Sequence, residues 1–193
     1  MEFHDRLNRG MWSRAPVGDV VAGHVHSDLT FSVVTPSSVR EEQNHVGDLK
    51  KIADRLNLNR QYKIPSYGHP CTGWHALLAY VPDAMNEGLR AIGFSLASLR
   101  DWKVKQSTWA EISAETESGS LDCRGTTMVD RWTVGFFWIH PAERGRGFSE
   151  HLLRATSTWL QVEPQDLAWH APISVAGQAG ISQLVGDPVW VGY

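Results

Sequence analysis

The stretch that most constrains this 193-residue chain is "FFWIHPAERGRGFSEHLL", residues 136–153. An apolar run, a proline, two glycines one residue apart and then helical spacing call for a strand, a tight loop and a helix in succession. Just upstream, "RWTVGFFWIH" (131–140) is almost continuously apolar, which predicts a strand buried on both faces. Downstream, Phe148, Leu152, Leu153, Thr156, Trp159 and Leu160 fall on one helical stripe. The first N–H groups of a helix at such a junction have no partners in the helix, and the helix dipole adds positive potential, so the junction suits an anion. Gly145 and Gly147 supply positive φ and close backbone approach. Arg144 and Arg146 can add charge-assisted contacts to phosphate. The simpler alternative is a tight turn carrying solvated arginines.

Two common phosphate motifs fail on spacing. No G-K-[ST] follows a glycine at the Walker A interval, and the dinucleotide fingerprint G-x-G-x-x-G meets Glu150 at its third glycine. Residues 148–193 are also too few to build a doubly wound sheet after the loop.

The rest of the chain reads as alternating short elements. Residues 1–28 show no period and are expected to form an irregular arm, with one domain over 29–193. "LTFSVVTP" (29–36) predicts a strand. "SSVREEQNHVGDLKKIADRLNL" predicts a helix opened by a capping box at Ser38 and Glu41, with Val39, Val46, Leu49, Ile52, Ala53 and Leu56 on its apolar face. "WHALLAYV" (74–81) and "LRAIGFSLASL" (89–99), joined by the turn-rich "PDAMNEG", predict an antiparallel pair. Residues 100–130 are polar and read as a loop or extended β arm. "DLAWHAPI" predicts a strand, "SVAGQAGISQLVG" a short helix and "PVWVGY" a closing strand. The fold class is mixed α/β.

Composition narrows the function classes. The net charge of −3 offers no basic field for nucleic acid. No run approaches the roughly 20 apolar residues of a membrane span, and "MEFHDRLNRGMWSRAP" lacks the apolar core of a secretory leader. Cys71 and Cys123 make no disulfide framework, so a reducing cytoplasm is the expected location. His69, Cys71 and His75, with His24 and His26 upstream, match no zinc spacing, and no metal is expected. "GFSLA" (93–97) and "GFSEH" (147–151) each lack the last glycine of G-x-S-x-G, which argues against a serine hydrolase.

Arg144-x-x-Gly147-x-Ser149, preceded by Phe137, Ile139 and Pro141 and followed by an amphipathic helix, resembles the acyl-CoA loop of the GNAT N-acetyltransferases, Q/R-x-x-G-x-G/A after L-x-V-x-P. Ser149 replaces the final Gly or Ala with another small residue. The resemblance covers about residues 74–193, and the tail is faintly similar to that of the cohesin acetyltransferases, without their zinc finger. It implies a mixed, mostly antiparallel sheet with helices on both faces, and acetyl-CoA as co-substrate for transfer to an amine, on a small molecule or a protein. It leaves a homodimer open.

By the same resemblance, the amides of Arg144, Gly145, Arg146, Gly147, Phe148 and Ser149 would hold the pyrophosphate. The backbone of Phe137, Trp138 and Ile139 would meet pantetheine and the acetyl group, with the Ile139 N–H polarising the thioester carbonyl. The position where many members carry an acidic tyrosine is Ser182 in "ISQLVGD". His140 and His170 are the candidate bases, since imidazole titrates near neutrality. Glu111, Glu115 and Glu117 could draw a cationic amine or form a solvated face. The alternative is a non-catalytic acyl-CoA-binding or interaction module that keeps the fold; a third reading is a structural protein whose loop is a plain turn.

Overall fold

The structure, a computed structural model, describes residues 9–22, 28–56, 73–85 and 87–193. The eight strands are β1 (Met11–Ser13), β2 (Asp19–Val20), β3 (Thr30–Val34), β4 (His75–Pro82), β5 (Leu89–Ser107), β6 (Thr127–Ile139), β7 (Ala168–His170) and β8 (Val189–Gly192). Among the described residues the α-helices are α1 (Arg40–Leu56), α2 (Trp109–Ser118), α3 (Phe148–Leu160) and α4 (Val175–Ile181). Strands β2 to β8 lie side by side in chain order. Pairings from β2 to β6 are antiparallel, whereas β6–β7 and β7–β8 are parallel. Strand β8 also pairs with the far end of β5, from Val104 to Ser107, so β5 to β8 close on themselves. Strand β1 pairs with the start of β5. This is the mixed, mostly antiparallel sheet that the sequence implied.

Helices cover both faces, and the alternation of β4 shows how. Ala76, Leu78 and Tyr80 join Val46, Leu49, Ile52 and Ala53 of α1 in one core. Leu77, Ala79 and Val81 point the other way and join Leu152 and Ala155 of α3. Every residue from Ala76 to Val81 is therefore buried. A continuous apolar run is required even though the strand is antiparallel, because neither face meets water. Deep burial in the α1-facing core pushes the Tyr80 hydroxyl up to about 12. That hydroxyl still accepts a hydrogen bond from Val17 N at 3.2 Å, which ties the N-terminal segment to the sheet.

Several local expectations change. Helix α1 starts at Arg40, and Ser38 Oγ accepts from Thr35 N at 3.0 Å. Val39 thus precedes the helix and is exposed, not on its apolar face. A capping box does form at α2, where Thr108 Oγ1 accepts from Glu111 N and the Glu111 carboxylate accepts from Thr108 N. These bonds hold the Glu111 carboxyl below its ordinary range. Residues 100–130 are accordingly two long arms of the β5–β6 ladder, extending to Ser107 and from Thr127, with a helix between them. Within the N-terminal arm, Met11–Ser13 and Asp19–Val20 are strands. Strand β7 is only three residues long. The expected burial of residues 131–140 on both faces holds at Thr133, Val134, Trp138, Ile139 and His140, but Gly135 to Phe137 are only partly buried.

Candidate functional site

The reason for that partial burial is a gap in the sheet. Strands β6 and β7 are in register only at Thr133 with Ala168 and Val134 with Trp169. Past His170 the chain leaves β6: Ala171 N donates to Gly192 O of β8 at 2.8 Å. Strand β6, meanwhile, runs on to Ile139 along β5, with Trp138 opposite Phe94 and Ile139 opposite Gly93. His140 N donates to Ile92 O, so residues of even number turn their polar groups to β5 in this stretch. Phe137 and Ile139, of opposite parity, turn theirs into the gap. One of those groups is met from within: Arg144 Nε donates to Ile139 O at 3.1 Å. The N–H of Ile139 and both polar groups of Phe137 remain along the free edge.

The loop beyond the strand is built by short-range capping. His140 Nδ1 accepts from Ala142 N at 3.2 Å, and Glu143 N and Arg144 N donate to His140 O and Pro141 O. These bonds make a single 3-10 turn, Pro141–Glu143, opened by the proline. Gly145 and Gly147 then both take φ +78°, a value that disfavours any side chain. Gly147 is the N-cap of α3 with no side chain to cap it. The N–H groups of Gly145, Arg146 and Gly147 make no hydrogen bond within the described residues, whereas Glu150 N donates to Gly147 O. Successive bare amides in a loop that leads into a helix suit an anion.

The gap, the loop and two helices enclose a cleft of about 260 Å³. Phe137, Trp138 and Ile139 form one wall; Arg144, Gly145, Phe148 and Ser149 form its end. The opposite wall is α4, of which the sequence marked only Ser182, at its C-terminal end, and not the face that lines the cleft. It presents Ala176, Gly177 and Gly180, and at Gly180 an added Cβ would meet nothing within 4 Å. The available signal was the run of small residues in "SVAGQAGI" at one-turn spacing, which leaves a helix face flat. Glu143 also reaches the cleft, and nothing in the sequence distinguished it.

The candidate acid and bases fall elsewhere. His140 is 2 % exposed and serves as the cap just described, with its ring edge-on to Trp138 at 5.7 Å. Ser182 is exposed at the end of α4, its N–H bonded to Gln178 O. His170 lies on β7 opposite Gly192. None of the three lines the cleft. Arg146 turns its guanidinium over the Phe148 ring, 4.6 Å from the centroid, and onto Glu143.

Two acidic residues of α2, Glu111 in the capping box and Glu115, are likewise engaged, whereas Glu117 is exposed. Glu115 receives Lys105 Nζ at 3.1 Å and the Tyr193 hydroxyl at 3.1 Å. Burial pushes the Tyr193 hydroxyl up; burial pulls the Lys105 ammonium down, but its bonds to Glu115 and Tyr193 outweigh that and leave it raised. His24, His26, His69 and Cys71 lie outside the described residues. Among those described, no group of three or more His, Cys, Asp or Glu could hold a metal ion. No described helix is long and apolar enough to cross a membrane.

No protein-family model matches the sequence, and no curated protein matches it. Solved structures do. The xEco2 acetyltransferase domain bound to a CoA conjugate matches with a TM-score of 0.58 at 10 % identity, over 90 % of this chain and 96 % of that one. A second structure of the xEco2 acetyltransferase domain matches with a TM-score of 0.55 at 12 % identity, over 90 % and 94 %. At such identities the likeness speaks for the fold alone. This chain has the fold of the GNAT acetyltransferases.

Proposed function

We propose that this protein binds acetyl-CoA and transfers the acetyl group to an amine, acting as an N-acetyltransferase. The observation that carries the reading is the conjunction of a free β6 edge at Phe137 and Ile139 with a loop of bare amides at Gly145, Arg146 and Gly147, of which Gly145 lines the same cleft as Phe137 and Ile139. Pantetheine is an amide chain, and an unpaired strand edge is the surface that pairs with one. A pyrophosphate suits the helix-start amides. The CoA conjugate held by the xEco2 domain supports a CoA partner.

In the proposed reaction the acceptor nitrogen attacks the thioester carbonyl carbon. A C–N bond forms, the C–S bond breaks, the amine proton is lost to solvent and the thiolate leaves. The Ile139 N–H, aimed into the gap, is suited to stabilise the negative charge that develops on the carbonyl oxygen. The flat face of α4 and the wall of Phe137 and Trp138 hold the reactants together and exclude water, which supplies positioning. The acceptor is an amine on a small molecule or a protein, and we place the reaction in the cytoplasm.

One observation favours the second reading, a non-catalytic acyl-CoA-binding module: His140, His170 and Ser182 all lie off the cleft. Two measurements separate the readings. Calorimetry with acetyl-CoA and with CoA tests binding, and absence of heat at high micromolar ligand would leave only the structural reading. Thiol release across a panel of amines then tests transfer; binding without release would assign the chain to the binding class.

A further inference from the structure

Five charged side chains of alternating sign run from the N-terminal segment to the glycine loop. Arg9 Nη2 meets Asp83 Oδ1 at 2.7 Å, and Arg90 Nε lies 3.7 Å from the same oxygen. Arg90 Nη2 meets Glu143 Oε1 at 3.2 Å, and Arg146 Nη1 meets Glu143 Oε2 at 2.6 Å. Arg90 also donates to Arg9 O. The inner members are buried: the side chains of Asp83 and Glu143 are 1 % and 7 % exposed, and that of Arg90 16 %. Only Arg146 is largely open, at 53 %.

This burial decides what the chain can do. A buried carboxylate left without its counter-charge is strongly unfavourable, so Glu143 cannot release both arginines at once. Asp83 follows β4 and Arg90 lies near the start of β5, at the turn of a hairpin whose strands are buried over residues 76–81 and 91–98. Glu143 ends the 3-10 turn, and Arg146 sits between the two glycines. The network therefore transmits the position of the rigid β4–β5 hairpin to the one loop whose glycines give it freedom to move. Arg146 is held on the flank of that loop, by Glu143 on one side and the Phe148 ring on the other. Arg144, by contrast, lines the cleft.

We infer that Glu143 is a positioning residue: through Arg90 behind it and Arg146 in front, it locks the 145–147 turn in the conformation that leaves its amides bare beside the cleft. Arg146 is then a clamp on the loop and not a ligand for the phosphates. The inference rests on the CoA-binding reading for its functional consequence, though not for its structural one.

The test uses Glu143→Gln, Arg146→Ala, the double variant, and Arg154→Ala as a control. Arg154 makes only a surface pair with Glu150. Hydrogen exchange without ligand reads the lock directly. Protection of the Glu143, Arg144 and Glu150 amides should fall about tenfold or more in Glu143→Gln, with the Leu77 and Leu78 amides of β4 unchanged; equal protection would overturn the proposal. Calorimetry with CoA reads the consequence. Each single variant should weaken CoA about tenfold, and the double variant should be no weaker than either alone, because both remove one lock. Additive losses, or tighter binding by Glu143→Gln as its negative charge leaves the cleft, would overturn it. If the wild-type protein takes up no CoA, the CoA reading falls, and the exchange experiment still decides whether the lock exists.

Discussion

Replacing Gly147 with leucine separates a phosphate cradle from a plain turn. Gly147 sits at φ +78°, and a Cβ built there meets no atom within 4 Å. The substitution therefore creates no clash inside the protein, and its structural cost is the left-handed backbone alone, about 1–2 kcal/mol. For a domain of this size that lowers Tm by roughly 2–8 °C. The effect on CoA is of another kind, since the new side chain occupies the open space beside the bare amides of the loop. Loss of one amide bond to a charged ligand, about 1.5–3 kcal/mol, weakens binding roughly ten- to hundredfold. Gly119→Leu is the matched control. Gly119 has φ +67°, open space around its Cβ and a place at the end of α2, away from the loop. Calorimetry with CoA and thermal unfolding should show similar Tm losses for the two variants and an affinity loss for Gly147→Leu only. Equal CoA affinity in Gly147→Leu and wild type would refute the cradle, and an equal affinity loss in Gly119→Leu would show that strain alone explains the effect.

Other consequences can be checked on the free protein. Thr108→Ala removes the capping box of α2 and should cost about 1 kcal/mol, read as a Tm lower by roughly 2–4 °C. Thr156→Val should cost about 1–3 kcal/mol in urea unfolding, because Thr156 Oγ1 is the 2.7 Å partner of the buried Ser95 hydroxyl. His75 lies against the rings of Trp132 and Trp159, and burial lowers its pKa below 6.5. Between the lowered value and 6.5 the unfolded chain binds more protons, so this contribution is full above about pH 6.5 and lost as pH falls through the lowered value. His75→Phe should flatten that part of the stability profile; an unchanged slope would count against the assignment.

Much of the fold is legible in the chain because local chemistry enforces it. The strand–loop–helix junction at 136–153 combines a proline that can only open a turn, two glycines that accept positive φ and a stripe that can only be a buried helix face. The α2 capping box is equally legible in "TWAE" closed by Gly119, but the segment has few apolar residues to mark a buried helix face. Ser38 and Glu41 show the converse, the same pattern without the geometry. There Ser38 Oγ was drawn instead to Thr35 N, one turn early.

The sequence by itself determined that amides would be bare at the start of α3, since no residue at 145–147 carries a side chain able to cap them. Only the tertiary structure decided that a gap would open beside β6, because that depends on β7 turning to β8 after His170, a choice between two distant partners. It also decided the roles of the charged residues: Arg144 and Arg146 bring the same guanidinium chemistry to the loop, yet one lines the cleft and the other is drawn to Glu143. Local propensity acts over a few residues, and which buried carboxylate meets which arginine is settled only when hairpin, loop and N-terminal segment pack together.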